Sequence, residues 1–207
     1  MILAMMWLVI GFSLLGFAGY EYVYKGNTPG QLAWIRPNGP APGADGQLPP
    51  GAEVVGTESF RLVMDKIGVD APVSAYGVDE NQVPEVPYEA QLVAWYNFSA
   101  YPGNGDNAVF AGHVTWRGDA VFKRLSEMQP GDHVEIQRQD GSHLVYEITD
   151  SLTVAPTDQD AQHWMLPTGA DTITIITCAG ERVLVPGPIG AEYDHRQVLR
   201  GVLIAVA

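Results

Sequence analysis

The chain has 207 residues, 46% of them hydrophobic, which is enough for one globular domain with a substantial core and too little for two large ones. Lys and Arg number 11 against 24 Asp and Glu, a formal charge of −13, and such a surface repels phosphate backbones and anionic lipid head groups, so nucleic acid is not an expected partner. A single cysteine excludes an intrachain disulfide framework and any cysteine-based zinc site.

Residues 1–20, MILAMMWLVIGFSLLGFAGY, carry no charged side chain. As a helix this stretch is about 30 Å long, the thickness of a bilayer core. Tyr20, Tyr22 and Tyr24 cluster at its end, where an interfacial aromatic belt is expected. A cleavable signal peptide has a basic n-region and a shorter apolar run. The expectation is therefore an uncleaved transmembrane anchor over residues 1–24. Its flanking charges, Lys25 and Arg36, both follow the span and do not by themselves set its orientation. Residues 25–56 hold six Pro and seven Gly and read as a linker.

From residue 57 onward short apolar or alternating runs succeed one another: SFRLVMDKIGVDAPV, QLVAWY, NAVFAGHV, DHVEIQR, HLVYEITDSLTV, DTITIITC and HRQVLRGVLIAV. Gly, Pro, Asn and Asp punctuate them, and Asp140-Gly141 between two β-rich runs is a hairpin signal. The one helix expected is short, near DAVFKRLSEM, with Asp119 as its N-cap. Seven or eight short strands in about 150 residues predict a mainly antiparallel barrel or sandwich.

Chemistry centres on Cys178, at the end of the alternating run TITIITC. Side chains on a strand switch faces at each residue. Ile173, Ile175 and Thr177 thus share one face, the better candidate for the core. Cys178 shares the other with Thr172, Thr174 and Ile176, which turns it toward a partly polar surface or groove. A cysteine nucleophile needs a thiolate or a nearby base, and a group that stabilises the oxyanion formed on attack. No His or Lys adjoins Cys178 in sequence, so partners must come through the fold. Among His113, His133, His143, His163 and His195, His113 stands apart because the apolar strand NAVFAG delivers it at a strand end. His195 and Arg196 must point to opposite faces of one strand. Arginine, permanently cationic and rich in donors, suits an oxyanion or a carbonyl. The bland alternatives are a satisfied strand-end histidine, a small buried cysteine and a surface salt bridge.

NAVFAGHV, TITIITC and YDHRQVLRGVLIAV, in that order, resemble the three active-site segments of sortases, membrane-anchored bacterial cysteine transpeptidases. Thr174-Ile175-Ile176-Thr177-Cys178 matches the family motif Thr-Leu-x-Thr-Cys with Ile for Leu. His113 lies 65 residues before Cys178, and Arg196 lies 18 after it. VAWYNFSAYPGNGDNAVFAGHV is most similar to the class F branch. The resemblance implies a closed eight-stranded β-barrel with one or two short helices over residues 57–207, behind the anchor and linker.

It also implies that Cys178 attacks a sorting-motif carbonyl to form a thioester, that His113 shuttles protons for the leaving and incoming amines, and that Arg196 binds the carbonyl or oxyanion. Implied partners are exported proteins with a C-terminal sorting motif, an amine acceptor and the membrane. The catalytic domain is then expected outside the cytoplasmic membrane. No cofactor is implied, and no Asp/Glu cluster has the spacing of a calcium loop, so no metal is expected. Leu166-Pro167-Thr168-Gly169 looks like a sorting signal, but no apolar span with a basic tail follows it, so an ordinary turn is expected. The alternatives are a hydrolytic cysteine peptidase of the same fold and a non-catalytic membrane-tethered β-barrel binding module.

Overall fold

The computed structural model describes residues 60–79, 83–156, 161–184 and 191–207. The anchor expected over 1–24 and the linker over 25–56 lie outside them. Among the described residues no helix is long and apolar enough to cross a membrane.

Eight strands form: β1 (Phe60–Met64), β2 (Val69–Tyr76), β3 (Val93–Tyr96), β4 (Asn107–Ala111), β5 (His133–Gln137), β6 (His143–Val154), β7 (Thr172–Leu184) and β8 (Ala191–Val206). They close into a barrel in the order β1-β2-β3-β4-β7-β8-β6-β5. Closure leaves no strand edge unpaired along the ring. Two neighbour pairs, β2 with β3 and β4 with β7, are parallel, and the rest are antiparallel. The run SFRLVMDKIGVDAPV breaks into β1 and β2 because Asp65–Ile67 form a 3-10 turn that ends on Gly68 in the left-handed region at φ 70°. Asp140-Gly141 makes the hairpin between β5 and β6, with Gly141 at φ 83°.

Alternation fills both faces of the central strands. Ile173, Ile175 and Leu199 join Phe60, Leu62 and Phe110 in the barrel interior. Ile176 and Val198 face outward, yet they too are buried, beneath a second apolar cluster that includes Tyr76, Val86, Tyr96 and Val154. The expected split of faces on β7 is therefore present, while the second face is covered rather than open.

Two expectations are corrected. DAVFKRLSEM does not form an α-helix; only Leu125–Glu127 turn, as a 3-10 segment. Val121 N–H bonds the Ala90 carbonyl and Phe122 N–H the His113 carbonyl, while Lys123, Leu125, Glu127 and Met128 N–H bond the carbonyls three residues back, so the segment runs as tight turns. Ala120, Val121 and Phe122 are buried in succession, which one helical stripe cannot achieve. Asp119 is not a cap but an exposed residue ion-paired with Lys123. Further, β7 does not stop at Cys178. It runs on to Leu184 as an arm paired with the start of β8, past an irregularity between Ala179 and Arg182 where Gly180 adopts φ 81°. Leu166–Gly169 forms an exposed turn, its Thr168 and Gly169 N–H groups donating to the Asp106 carboxylate.

Candidate active site

Strand register, rather than any loop, brings the candidate residues together. On β4 and β7, Ala111 pairs with Ile176. The ladder continues one step, because Gly112 N–H donates to the Ile176 carbonyl at 3.3 Å and Thr177 Oγ1 donates to the Gly112 carbonyl at 2.8 Å. The next step sets His113 level with Cys178. On β7 and β8, Cys178 pairs with Arg196, and Arg196 pairs in turn with Val154 of β6. Cys178 and Arg196 thus stand in one transverse row on β7 and β8, and His113, two residues past the end of β4, extends it from the adjoining side of β7. His195 points to the opposite face and pairs with Asp194 at 2.8 Å. His133 and His143 meet Glu147 and Glu135 on exposed strand positions. His163 is exposed. None of these four joins the row.

The row is buried: Cys178 is 5% exposed, His113 4% and Arg196 4%. Arg196 is accordingly no surface side chain; its Nη1 donates to the carbonyls of Tyr193 at 2.8 Å and His195 at 2.9 Å. Part of the cover comes from the segment between β2 and β3. Pro87 of that segment accepts a hydrogen bond from Nε2 of His113 at 2.7 Å. A carbonyl can only accept, so Nε2 carries the proton and Nδ1 is left as the acceptor in the neutral ring. Trp116 lies flat on the same imidazole, with centroids 4.7 Å apart and planes 13° apart.

Burial dominates the electrostatics. It pushes the Cys178 thiol above its ordinary value, against the pull of the Arg196 charge, and Glu192 adds to the rise. It pushes the His113 imidazolium below its ordinary value, opposed by the Pro87 carbonyl. Both shifts run against charge separation, so the site makes the thiolate–imidazolium form rarer rather than commoner. Tyr96 on β3 has a fully buried hydroxyl with no hydrogen-bond partner. Burial, with charges on Cys178 and Glu85, holds that phenol far above the usual tyrosine range.

A buried nucleophile type, a proton carrier and a fixed cation in one row are the parts that acyl transfer through a thioester requires. The Sortase domain profile matches residues 62–203, which span most of the barrel and the whole row. The chain belongs to the sortase family. As a sortase it is a cysteine transpeptidase, and Cys178 is the one cysteine in its sequence. No curated protein matches the sequence.

Solved sortases share the fold. The chain is similar to a Clostridium perfringens Sortase D5 transpeptidase at 22% identity and TM-score 0.52, over 72% of this chain and 79% of that one. It is similar to a lid mutant of sortase A from Corynebacterium diphtheriae at 22% identity and TM-score 0.53, over 71% and 70%. A sortase C1 from Streptococcus suis matches at 23% identity and TM-score 0.53, over 72% and 73%. At these identities the likeness is one of fold.

Sequence reasoning missed Pro87, Trp116 and Tyr193 around this sortase row. Nothing in the spacing marks Pro87, which arrives by tertiary contact alone. Trp116, three residues beyond His113, is the one with a local cue. Among the described residues no group of three or more His, Cys, Asp or Glu side chains could hold a metal ion.

Proposed function

We propose that Cys178, His113 and Arg196 are the catalytic residues of this sortase and that it joins exported proteins to an amine. The Cys178 thiol passes its proton to His113, and the sulfur attacks the carbonyl carbon of a peptide bond in a C-terminal sorting motif. A thioester forms as the C–N bond breaks, and His113 gives a proton to the departing amine. The incoming amine then loses a proton to His113 and attacks the thioester, releasing Cys178. Arg196 offers N–H donors to the carbonyl oxygen while it carries negative charge. Covalent capture divides one hard acyl transfer into two easier steps. The observation that carries this reading is the pairing of Cys178 with Arg196 across β7 and β8, with His113 two residues past the end of β4, the strand on the other side of β7.

The reading extends to place and branch. The uncharged stretch 1–20 supports a membrane anchor, and the Pro/Gly-rich 25–56 supports a tether that holds the barrel outside the cytoplasmic membrane. The segment leading to His113 supports the class F branch.

The test uses peptides spanning the sorting-like motifs of exported proteins from the same genome, each ahead of an apolar span and a basic tail. Mass spectrometry is expected to show a thioester on Cys178, and added amine is expected to divert product from hydrolysis to transfer. Cys178→Ala, His113→Ala and Arg196→Ala each abolish thioester formation while circular dichroism shows the barrel intact. Normal turnover by Cys178→Ala sinks the proposal.

A further inference from the structure

The start of β8 carries a residue that touches both flanks of Cys178. The Tyr193 hydroxyl lies 3.0 Å from Oγ1 of Thr115, two residues beyond His113 in the loop whose Trp116 stacks on the imidazole. The Tyr193 carbonyl accepts from Nη1 of Arg196 at 2.8 Å. Its side chain thus holds the loop that carries His113, and its main chain holds the guanidinium. Arg196, held at one of these attachments, is the residue that faces Cys178 across β7 and β8.

We propose that Tyr193 is a positioning residue: by tying the His113 loop to the Arg196 guanidinium it sets the reactivity of the Cys178 thiol. The proposal rests on the catalytic reading of Cys178, His113 and Arg196 given above. The groups whose charge bears on the thiol are Arg196 and Glu192 from β8, and the Tyr96 phenol of β3 is coupled to it. Arg196 favours the thiolate and Glu192 opposes it, with Arg196 the stronger influence. Tyr193 sits between these two in sequence, so any slack in the start of β8 changes their balance at Sγ. The carbonyl that holds Arg196 survives loss of the hydroxyl, but its place relative to the His113 loop is then no longer fixed by Thr115; the guanidinium slackens with it, which disfavours the thiolate.

The test needs no peptide. In the full chain, the rate of Cys178 alkylation by iodoacetamide is followed against pH. Tyr193→Phe keeps the ring and removes the hydroxyl; Thr115→Val removes the other partner with little change in volume. Each is expected to raise the apparent thiol pKa and to slow alkylation at neutral pH about fivefold, the worth of one neutral hydrogen bond. Thr115→Ser retains the wild-type profile, and the double variant is no slower than the slower single one, since both remove the same contact.

A lowered melting temperature with an unchanged pH profile means that the contact is merely structural and overturns the proposal, as do additive effects in the double variant. Arg196→Gln separates the two layers of the argument. A shift for Arg196→Gln without one for Tyr193→Phe defeats the role of Tyr193 alone. No shift for Arg196→Gln defeats the role of Tyr193, and only normal thioester formation by the same variant defeats the catalytic reading of Arg196 as well.

Discussion

Cys178 and Arg196 stand directly opposite one another on the antiparallel pair β7–β8, both buried, and the Arg196 charge opposes the rise that burial imposes on the thiol. Removing that charge without filling its place leaves only the terms that disfavour thiolate. Arg196→Gln is expected to raise the thiol pKa and lower kcat for acyl transfer by about 100- to 1,000-fold, the usual loss on deleting an oxyanion donor. Arg196→Lys does not restore it, because a point charge on a flexible stem cannot reproduce the fixed fork of donors. Steady-state kinetics with a cleaved sorting peptide checks both; full activity in the lysine variant contradicts the geometric role.

The opposed shifts of the thiol and the imidazole fix the shape of the pH profile. A reactive thiolate beside an imidazolium requires a deprotonated group with a raised pKa and a protonated group with a lowered one. The pH dependence of kcat/KM is therefore expected to be bell-shaped, with its acid limb below about 6.5 and its alkaline limb above about 8.5, the ordinary His and Cys values. Stability follows the same sign. The unfolded chain takes up the His113 proton first, so folded stability falls as pH drops below about 6.5. Chemical denaturation across pH 5–7 reads that loss, and His113→Gln is expected to flatten it.

Gly112 is the hinge between β4 and His113, and a side chain there has nowhere to go. An added Cβ would come within 2.8 Å of the Phe122 ring and of Val121 Cγ1, both buried. Gly112→Ala is expected to cost about 1–3 kcal/mol through overpacking. It also displaces the carbonyl that Thr177 Oγ1 holds, and His113 with it. Urea titration and transfer assays together should show activity falling more than stability; an active variant of wild-type stability contradicts the packing.

Tyr96 buries a hydroxyl without a partner. Tyr96→Phe removes a desolvated polar group and keeps the ring stacked on Phe98, 5.0 Å away. The variant is expected to gain about 1 kcal/mol, within the range for an unsatisfied buried donor. Thermal melts decide it; a loss of stability shows that the hydroxyl is satisfied in solution.

Much of this was readable before any coordinates, and the reasons are local. Cys178 announced its face because strand alternation depends only on neighbours, and Asp140-Gly141 announced a turn because glycine tolerates φ of 83°. His113 and Arg196 could be singled out as strand-borne residues for the same reason. The failures share a different cause. DAVFKRLSEM carries helical residues, but the carbonyls of Ala90 and His113, distant in sequence, claim the N–H groups of Val121 and Phe122. The partner of the buried His113 ring is the Pro87 carbonyl, 26 residues earlier, and no spacing rule reports that. The extension of β7 past Gly180 likewise needs β8 to pair with it.

The parallel pairing of β4 with β7 joins segments some sixty residues apart, and Arg196 comes on β8, which pairs with both β7 and β6. Contacts of such separation form late, after local hairpins such as β5–β6. The step that sets Arg196 opposite Cys178 is therefore also the step that closes the ring, and a barrel with β8 one residue out of register would turn Arg196 to the other face and lose the pair.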